Sequence, residues 1–320
     1  MASASTPPDD PLCAIVGPTA SGKTALAIEV ALRAGAEVVS VDSMQVYRGM
    51  DVGTAKPGPD VLSRVRHHLL DRADPSERYD ARRYLADVRV ALDDIATRGA
   101  RALFAGGTGF YLKALTHGLF DGPPADLELR RELTRRAKEI GSRALHDELD
   151  GIDPEAAARI HPNDERRVVR ALEVWRQTGR RLSDWQREWR DEAQAATAGR
   201  ERRLIGLELA VEDLDARIVE RTREMLRDGW AEEARAIREG PGFGPSAVQA
   251  LGYAEVLRYV DGELTLEETV AEIGLRTRQF ARRQRTWFRK FPEIEWIPAP
   301  RDAADVERLA GDVVRRFGWD

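Results

Sequence analysis

Residues 12–35 read LCAIVGPTASGKTALAIEVALRAG, and this stretch decides the fold class. LCAIV is a short apolar run of buried-strand type and GPTASGKT is a Gly-rich turn. The segment after it places Leu26, Ala27, Val30 and Ala31 at helical spacing before Gly35 stops it. Strand, phosphate loop and helix follow in that order. In G-x-x-x-x-G-K-T the glycines let backbone N–H groups face phosphate oxygens, the helix directs its positive end at them, and Lys23 supplies a full charge. A helix end contributes only about 0.3–2 kcal/mol toward an anion. Tight binding therefore needs Lys23 and a metal, with the Thr24 hydroxyl placed for Mg2+. The loop alone does not distinguish a nucleotide to be split from a diphosphate whose other end is wanted.

Outward from the loop the alternation continues. EVVSV (37–41) reads as a second strand ending at Asp42, residues 80–98 as a helix ending near Gly99, and ALFAG (102–106) as a third strand. Strands alternating with helices predict a parallel, doubly wound sheet, an α/β core of the P-loop NTPase-like kind. Its active residues should collect at the carboxyl ends of the strands, where Gly17, Asp42 and Gly106 fall. After DGPPAD (121–126) the pattern turns almost wholly helical. A polar, Ala-rich stretch over 191–203 precedes RLIGLEL (203–209), which returns to strand character, and IEWIP (294–298) reads as a last strand. The expected organisation is a disordered tail over 1–10, a core over 11–120 and 201–320, and an all-helical insertion domain over 121–200.

The 320 residues, 42% of them hydrophobic, suffice for one large domain with an insertion. No apolar run approaches the roughly 20 residues of a membrane span, and MASASTPPDDP has none of the features of a signal peptide. A single cysteine, Cys13, and five histidines without zinc-site spacing point to the cytoplasm and to no transition metal. The net charge of −5 does not advertise a nucleic-acid binder, so local basic patches have to be sought. Only five of the 50 basic residues are lysines, which makes any single arginine weak evidence.

Asp42 admits two readings from its position alone. A carboxylate after an apolar strand is how a magnesium-water partner of a kinase or NTPase reads. It is equally a suitable place for a general base facing bound phosphate.

GPTASGKT, followed by DSMQVYRGMDVGTAKP (42–57), HHLLD (67–71), GGTGFYLKAL (106–115) and RQFARRQRTWFRKF (278–291), closely resembles the bacterial tRNA dimethylallyltransferases, from about residue 12 to 298. The resemblance implies transfer of the dimethylallyl group of dimethylallyl diphosphate to N6 of adenosine 37, beside the tRNA anticodon, with release of diphosphate. It also implies that Gly17, Thr19, Ala20, Ser21, Gly22, Lys23 and Thr24 hold the diphosphate, with Arg221 beside them. Asp42 would be the base, with Thr108 and Arg217 as further catalytic groups. Ser43, Met44 and Gln45 would join Asp42 and Thr108 in holding the adenine or its neighbours.

An adenine in an RNA loop must leave its stack to enter an enclosed site, so backbone contacts have to offset a few kcal/mol. In LRTRQFARRQRTWFRKF (275–291), a helix would put Arg278, Arg282, Arg285 and Arg289 on one face and Phe280, Gln284, Trp287 and Phe291 on the other. The aromatic stripe reads as core. The arginines read as an RNA contact, because residues 276–290 hold seven basic residues and no acidic one. In the insertion, Arg166, Arg167 and Arg170 open a helix after a cap at Asn163 or Asp164; the resemblance implies that they and Arg130 contact the anticodon stem-loop. The chain is expected to act as a monomer.

Three other readings compete. An ATP-dependent small-molecule kinase needs only the loop, the metal and Asp42, but GGTG stands where a second metal carboxylate is wanted. A prenyltransferase acting on free adenine nucleotides needs neither insertion nor Arg-rich helix. A non-catalytic tRNA-binding module leaves the phosphate loop without a use.

Overall fold

A computed structural model describes residues 11–119, 122–188 and 201–320. The expected tail over 1–10 and most of the expected second boundary lie outside the described residues. Six strands form one sheet: β1 (Leu12–Val16), β2 (Ala36–Val41), β3 (His67–His68), β4 (Arg101–Gly106), β5 (Arg202–Glu208) and β6 (Ile294–Pro298). Their spatial order is β3-β2-β4-β1-β5-β6 and every pairing is parallel. The expected parallel α/β core with a phosphate loop is thus what the chain builds. The order changes direction at β1, the strand that feeds the phosphate loop, and β1 is buried throughout its length. That is where open parallel sheets place their ligands.

The helices are α1 (Lys23–Ala34), α2 (Pro59–Arg64), α3 (Ala81–Thr97), α4 (Gly109–His117), α5 (Leu127–Ile140), α6 (Ser142–Ile152), α7 (Pro154–Arg159), α8 (Glu165–Thr178), α9 (Val211–Arg227), α10 (Trp230–Glu239), α11 (Tyr253–Val260), α12 (Leu266–Phe288) and α13 (Ala303–Arg316). Residues 182–188 are also helical. On one face of the sheet Cys13, Ile15, Leu103 and Ile205 pack with Leu26 and Val30 of α1 and with Leu309 and Val313 of α13. The residues that alternate with these, Val39, Phe104 and Leu204, are buried too, as a sheet covered on both sides requires. Strand β3 was not anticipated: two residues carry no periodicity.

The chain divides into two compact units, Met1–Leu115 with Gly199–Asp320, and Thr116–Ala198. The second has its own apolar core, with Leu133 of α5, Leu145 and Leu149 of α6 and Val168 and Leu172 of α8. The buried carboxylate of Asp153 caps α7 at Ala156 N (3.0 Å) and also accepts from Ser183 N (2.9 Å). Among the described residues no helix is long and apolar enough to cross a membrane.

Candidate active site

The phosphate loop leaves β1 at Val16 and enters α1 through Gly22, whose φ of 84° no L side chain readily adopts. No side chain caps α1 and no acidic residue stands in its first turn, so its N–H groups stay open to an anion. Lys23 Nζ donates to Pro18 O of its own loop at 3.2 Å. The Arg221 guanidinium, from α9, donates to Thr19 Oγ1 at 3.2 Å. Burial first, and the neighbouring Arg221 second, push the Lys23 ammonium down to about 8, with Asp42 working in the opposite direction. Burial also lowers Arg221, again opposed by Asp42. Two cations beside a helix N-terminus, only partly offset by Asp42, make a cradle suited to an anion.

At the tip of β2 the loop turns on Asp42. Its Oδ1 accepts from Met44 N (2.8 Å) and Gln45 N (3.3 Å), while Oδ2 has no hydrogen bond among the described residues. One oxygen shapes the loop and the other is available for chemistry. Thr108, following β4, braces the same loop: its N–H donates to Val41 O (3.0 Å) and its hydroxyl oxygen accepts from Ser43 N (3.1 Å). Gly106 permits this approach, since a Cβ there would lie 2.2 Å from Val41 O. Gln45 is spent internally. Its Oε1 accepts from Ser40 Oγ (3.0 Å) and its Nε2 donates to Thr54 O (3.3 Å) and Ala55 O (3.2 Å). The rest of the DVGTAKP loop is pinned from α10, where the Glu233 carboxylate accepts from the N–H groups of Asp51, Val52 and Gly53 at 2.7–2.9 Å.

One pocket of about 430 Å3 gathers these groups. Thr19, Ala20, Lys23, Thr24 and Arg221 form its phosphate end, with Asp42, Ser43, Met44, Gln45 and Thr108 beside them. Gly17, Ser21 and Gly22 shape the loop from behind; Ser21 is fully buried. Ile218, Thr222 and Met225 of α9 and Ile273, Thr277 and Phe280 of α12 supply less polar walls. Arg217 stands elsewhere. One turn before Arg221, it donates to Pro300 O (2.8 Å) and lines a second, more open depression with Gly22, Lys23, Thr24 and Arg221. Among the described residues no cluster of three or more His, Cys, Asp or Glu side chains could hold a metal ion.

The arginines assigned to RNA separate into two groups. Arg278 lies 3.9 Å from Asp215, but Arg282, Arg285 and Arg289 have no carboxylate within ion-pairing distance among the described residues. Arg285 and Arg289 line a small depression with Pro18, Glu208 and Trp296. In the second unit Arg130 and Arg170 instead converge on Glu173, which is 0% exposed, at 2.6 and 2.8 Å. Arg167 pairs with Asp164, the residue that caps α8, at 3.2 Å, and Arg166 is exposed.

Sequence reasoning missed several residues of the site. Phe280 was expected in the core with the other aromatics; it lines the pocket, while Phe291 is buried and Trp287 packs under Gly109. Gln284 bonds the phosphate loop. The spacing Ile273, Thr277, Phe280, Gln284 is a helical stripe, and that was the available signal. The wall from Trp230 and Gln249–Leu251 comes from far along the chain and carried none. The histidines of HHLLD turn out to be structural: His68 Nε2 lies 2.6 Å from Glu37 Oε2, and His67 Nδ1 lies 2.8 Å from Val65 O.

The family model described as IPP transferase matches residues 45–291. A tRNA dimethylallyltransferase of Syntrophobacter fumaroxidans is 44% identical over 311 residues, 96% of this chain and 88% of that one. Two solved structures share the architecture. The tRNA isopentenylpyrophosphate transferase of Bacillus halodurans matches with TM-score 0.67 and 37% identity, covering 97% of each chain. A eukaryotic dimethylallyltransferase captured acting on tRNA matches with TM-score 0.71 and 28% identity, over 91% of this chain and 74% of that one. With a phosphate loop, a braced carboxylate and a pocket joining them in one unit, and with these matches spanning nearly its whole length, the chain belongs to the IPP transferase family, together with the tRNA dimethylallyltransferases.

Proposed function

We propose that this chain is a transferase that moves the dimethylallyl group of dimethylallyl diphosphate to N6 of the adenosine next to the tRNA anticodon, releasing diphosphate. The observation that carries the reading is the shared pocket, in which Lys23, Thr24 and Arg221 stand at one end and the open oxygen of Asp42 beside them. A kinase reading has less support, since GGTG follows β4 where a second metal carboxylate is wanted.

The chemistry follows from these groups. The allylic C–O bond breaks and a C–N bond forms, the electron pair of the broken bond leaves with the diphosphate, and the N6 proton goes to Asp42. Lys23, Arg221 and the α1 N–H groups stabilise the charge that builds on the leaving oxygen. The exocyclic amine is a weak nucleophile, and a carboxylate whose second oxygen is tied to Met44 N and Gln45 N is oriented to take its proton. Enclosure by Phe280, Met225 and Ile273 keeps water from the electrophile. Thr24 would hold Mg2+ with the diphosphate and water supplying the other ligands; when bound, the ion neutralises charge on the leaving group.

Ser43, Met44 and Thr108 are assigned to the acceptor base and its neighbours, and Arg278, Arg282 and Arg285 to RNA phosphates. Arg166 and Arg167 of the second unit are assigned to the RNA with them. Arg130 and Arg170 contribute to RNA binding mainly by holding Glu173. Arg217 is assigned to the entry side of the diphosphate, one turn from Arg221. Cysteine usage supports a cytoplasmic protein.

Incubation with Mg2+, dimethylallyl diphosphate and unmodified tRNA, followed by digestion, should yield N6-prenylated adenosine, while AMP and ATP run in parallel should yield none. Asp42→Asn should bind both substrates yet lose roughly 10²- to 10⁴-fold in single-turnover transfer. An unimpaired rate removes Asp42 as the base.

A further inference from the structure

Pairing of β1 with β4 ends at Val16↔Gly106. Beyond that rung the two chains part, one into the phosphate loop and the other into the turn that carries Thr108. The gap between them is bridged by one side chain from α12. Gln284 Oε1 accepts from Thr19 N at 2.9 Å and its Nε2 donates to Gly107 O at 2.8 Å. The carboxamide thus stands where a further rung would be, offering one acceptor and one donor as a backbone peptide does. Its orientation is set by its partners, because exchanging oxygen and nitrogen would face N–H against N–H and oxygen against oxygen. The residue is 6% exposed, and a Cβ at position 107 would lie 2.5 Å from Nε2, so glycine is what admits the amide.

We infer that Gln284 is a positioning residue for the transfer, an amide that holds the phosphate loop in register with the turn bracing Asp42. The chain of contacts is continuous. Arg221 donates to Thr19 Oγ1, Thr19 N donates to Gln284, Gln284 donates to Gly107 O, and Thr108 next in sequence accepts from Ser43 N beside Asp42. Donor end and acceptor end of the pocket are therefore set relative to each other through one buried amide. Geometry of this kind matters because transfer rates depend steeply on the separation of the reacting atoms. Loss of the amide leaves the half-buried Thr19 N–H and the buried Gly107 carbonyl without this partner on the two sides of the site.

The inference deepens the proposed function and rests on it for the transfer step, but its first readout does not. Inorganic pyrophosphate binding, measured by calorimetry with Mg2+ on Gln284→Leu and on the unaltered protein, needs only the phosphate loop. The expected result is a Kd for pyrophosphate raised about 10- to 100-fold in the variant, with the Kd for tRNA changed less than about twofold. Transfer measured at saturating concentrations of both substrates should fall as well, because the loop and the Asp42 turn are no longer in register. An unchanged pyrophosphate Kd, or losses of equal size for pyrophosphate and tRNA, overturns the inference, since either is what a merely structural glutamine gives. Should the leucine variant fail to fold, Gln284→Glu is read in the same way. Ionised, it keeps the acceptor for Thr19 N but loses the donor for Gly107 O; protonated, it supplies both. Its pyrophosphate Kd, relative to that of the unaltered protein, should approach the normal value as pH falls, and a pH-independent ratio overturns the inference. Failure of the proposed function shows up separately, as absence of prenyl transfer by the unaltered protein.

Discussion

Helices α8 and α12 look alike as sequences, each carrying several arginines close together, and differ in what those arginines meet. In α8 the charges are answered: Arg170 meets the buried Glu173 at 2.8 Å, Arg167 meets Asp164 at 3.2 Å, and Arg176 meets Glu132 at 3.0 Å. Late in α12, Arg282 and Arg285, and Arg289 just after its end, have no carboxylate within ion-pairing distance among the described residues, while the opposite face of the helix reaches the pocket and the phosphate loop. Arginine count does not separate the two helices. Partner availability does, and an unanswered charge keeps more of its electrostatic energy for a polyanion than an answered one.

The largest test of this contrast is Glu173→Ala, which leaves Arg130 and Arg170 beside an empty, buried position. Hydrogen bonds to a charged group contribute about 1.5–3 kcal/mol, so loss of those that Glu173 accepts should lower the protection of the helical unit from hydrogen exchange over residues 127–178. Protection equal to that of the unaltered protein would mean that the cluster is dispensable. A smaller effect is expected from Arg282→Glu with Arg285→Glu. Folding should be untouched, tRNA binding should weaken, and the slope of log K against log salt should shrink by about 1.4, or about 0.7 for each lost phosphate contact. An unaltered slope would place the RNA elsewhere.

The smallest effect sharpens the comparison within the α/β unit, where Glu37 is the counterpart of Glu173. Arg98 donates to it at 2.7 and 2.8 Å and His68 lies at 2.6 Å. The hydrogen bonds from Arg98 first, and the contact with His68 after burial's opposing effect, hold its carboxyl below the usual value of 4.5. A depressed carboxylate stabilises the fold above the unfolded-state value and loses that contribution as pH falls through the folded-state value. Thermal stability should therefore decline below about pH 4.5, and Glu37→Gln should flatten part of that decline.

Much of the site was legible because its parts are local. GPTASGKT must lie between a strand and a helix to work, and the run 12–35 supplies both within 24 residues. Asp42 and Thr108 could be placed at strand ends from apolar runs alone, since a strand in a buried parallel sheet is apolar on both faces. Gln45 shows the limit of that reading: the family resemblance implies a base contact, while Ser40, Thr54 and Ala55 already bond its amide. Gln284 shows the complementary limit. It lies 265 residues from Thr19, and no local rule ties an amide in an Arg-rich helix to a phosphate loop.

The sequence by itself determined the α/β class, the phosphate loop, the carboxylate at the second strand and the existence of a basic helix, because each is written in short-range spacing that elementary geometry converts into a face or a turn. The tertiary structure decided which arginines are already neutralised, which amides are already spent, and which helix closes the pocket. The bonds of Gln284 span 265 and 177 residues, while those of Gln45 and the pair Arg170–Glu173 lie within ten, and in each case the energy of a charge or an amide is set by the group the fold brings beside it.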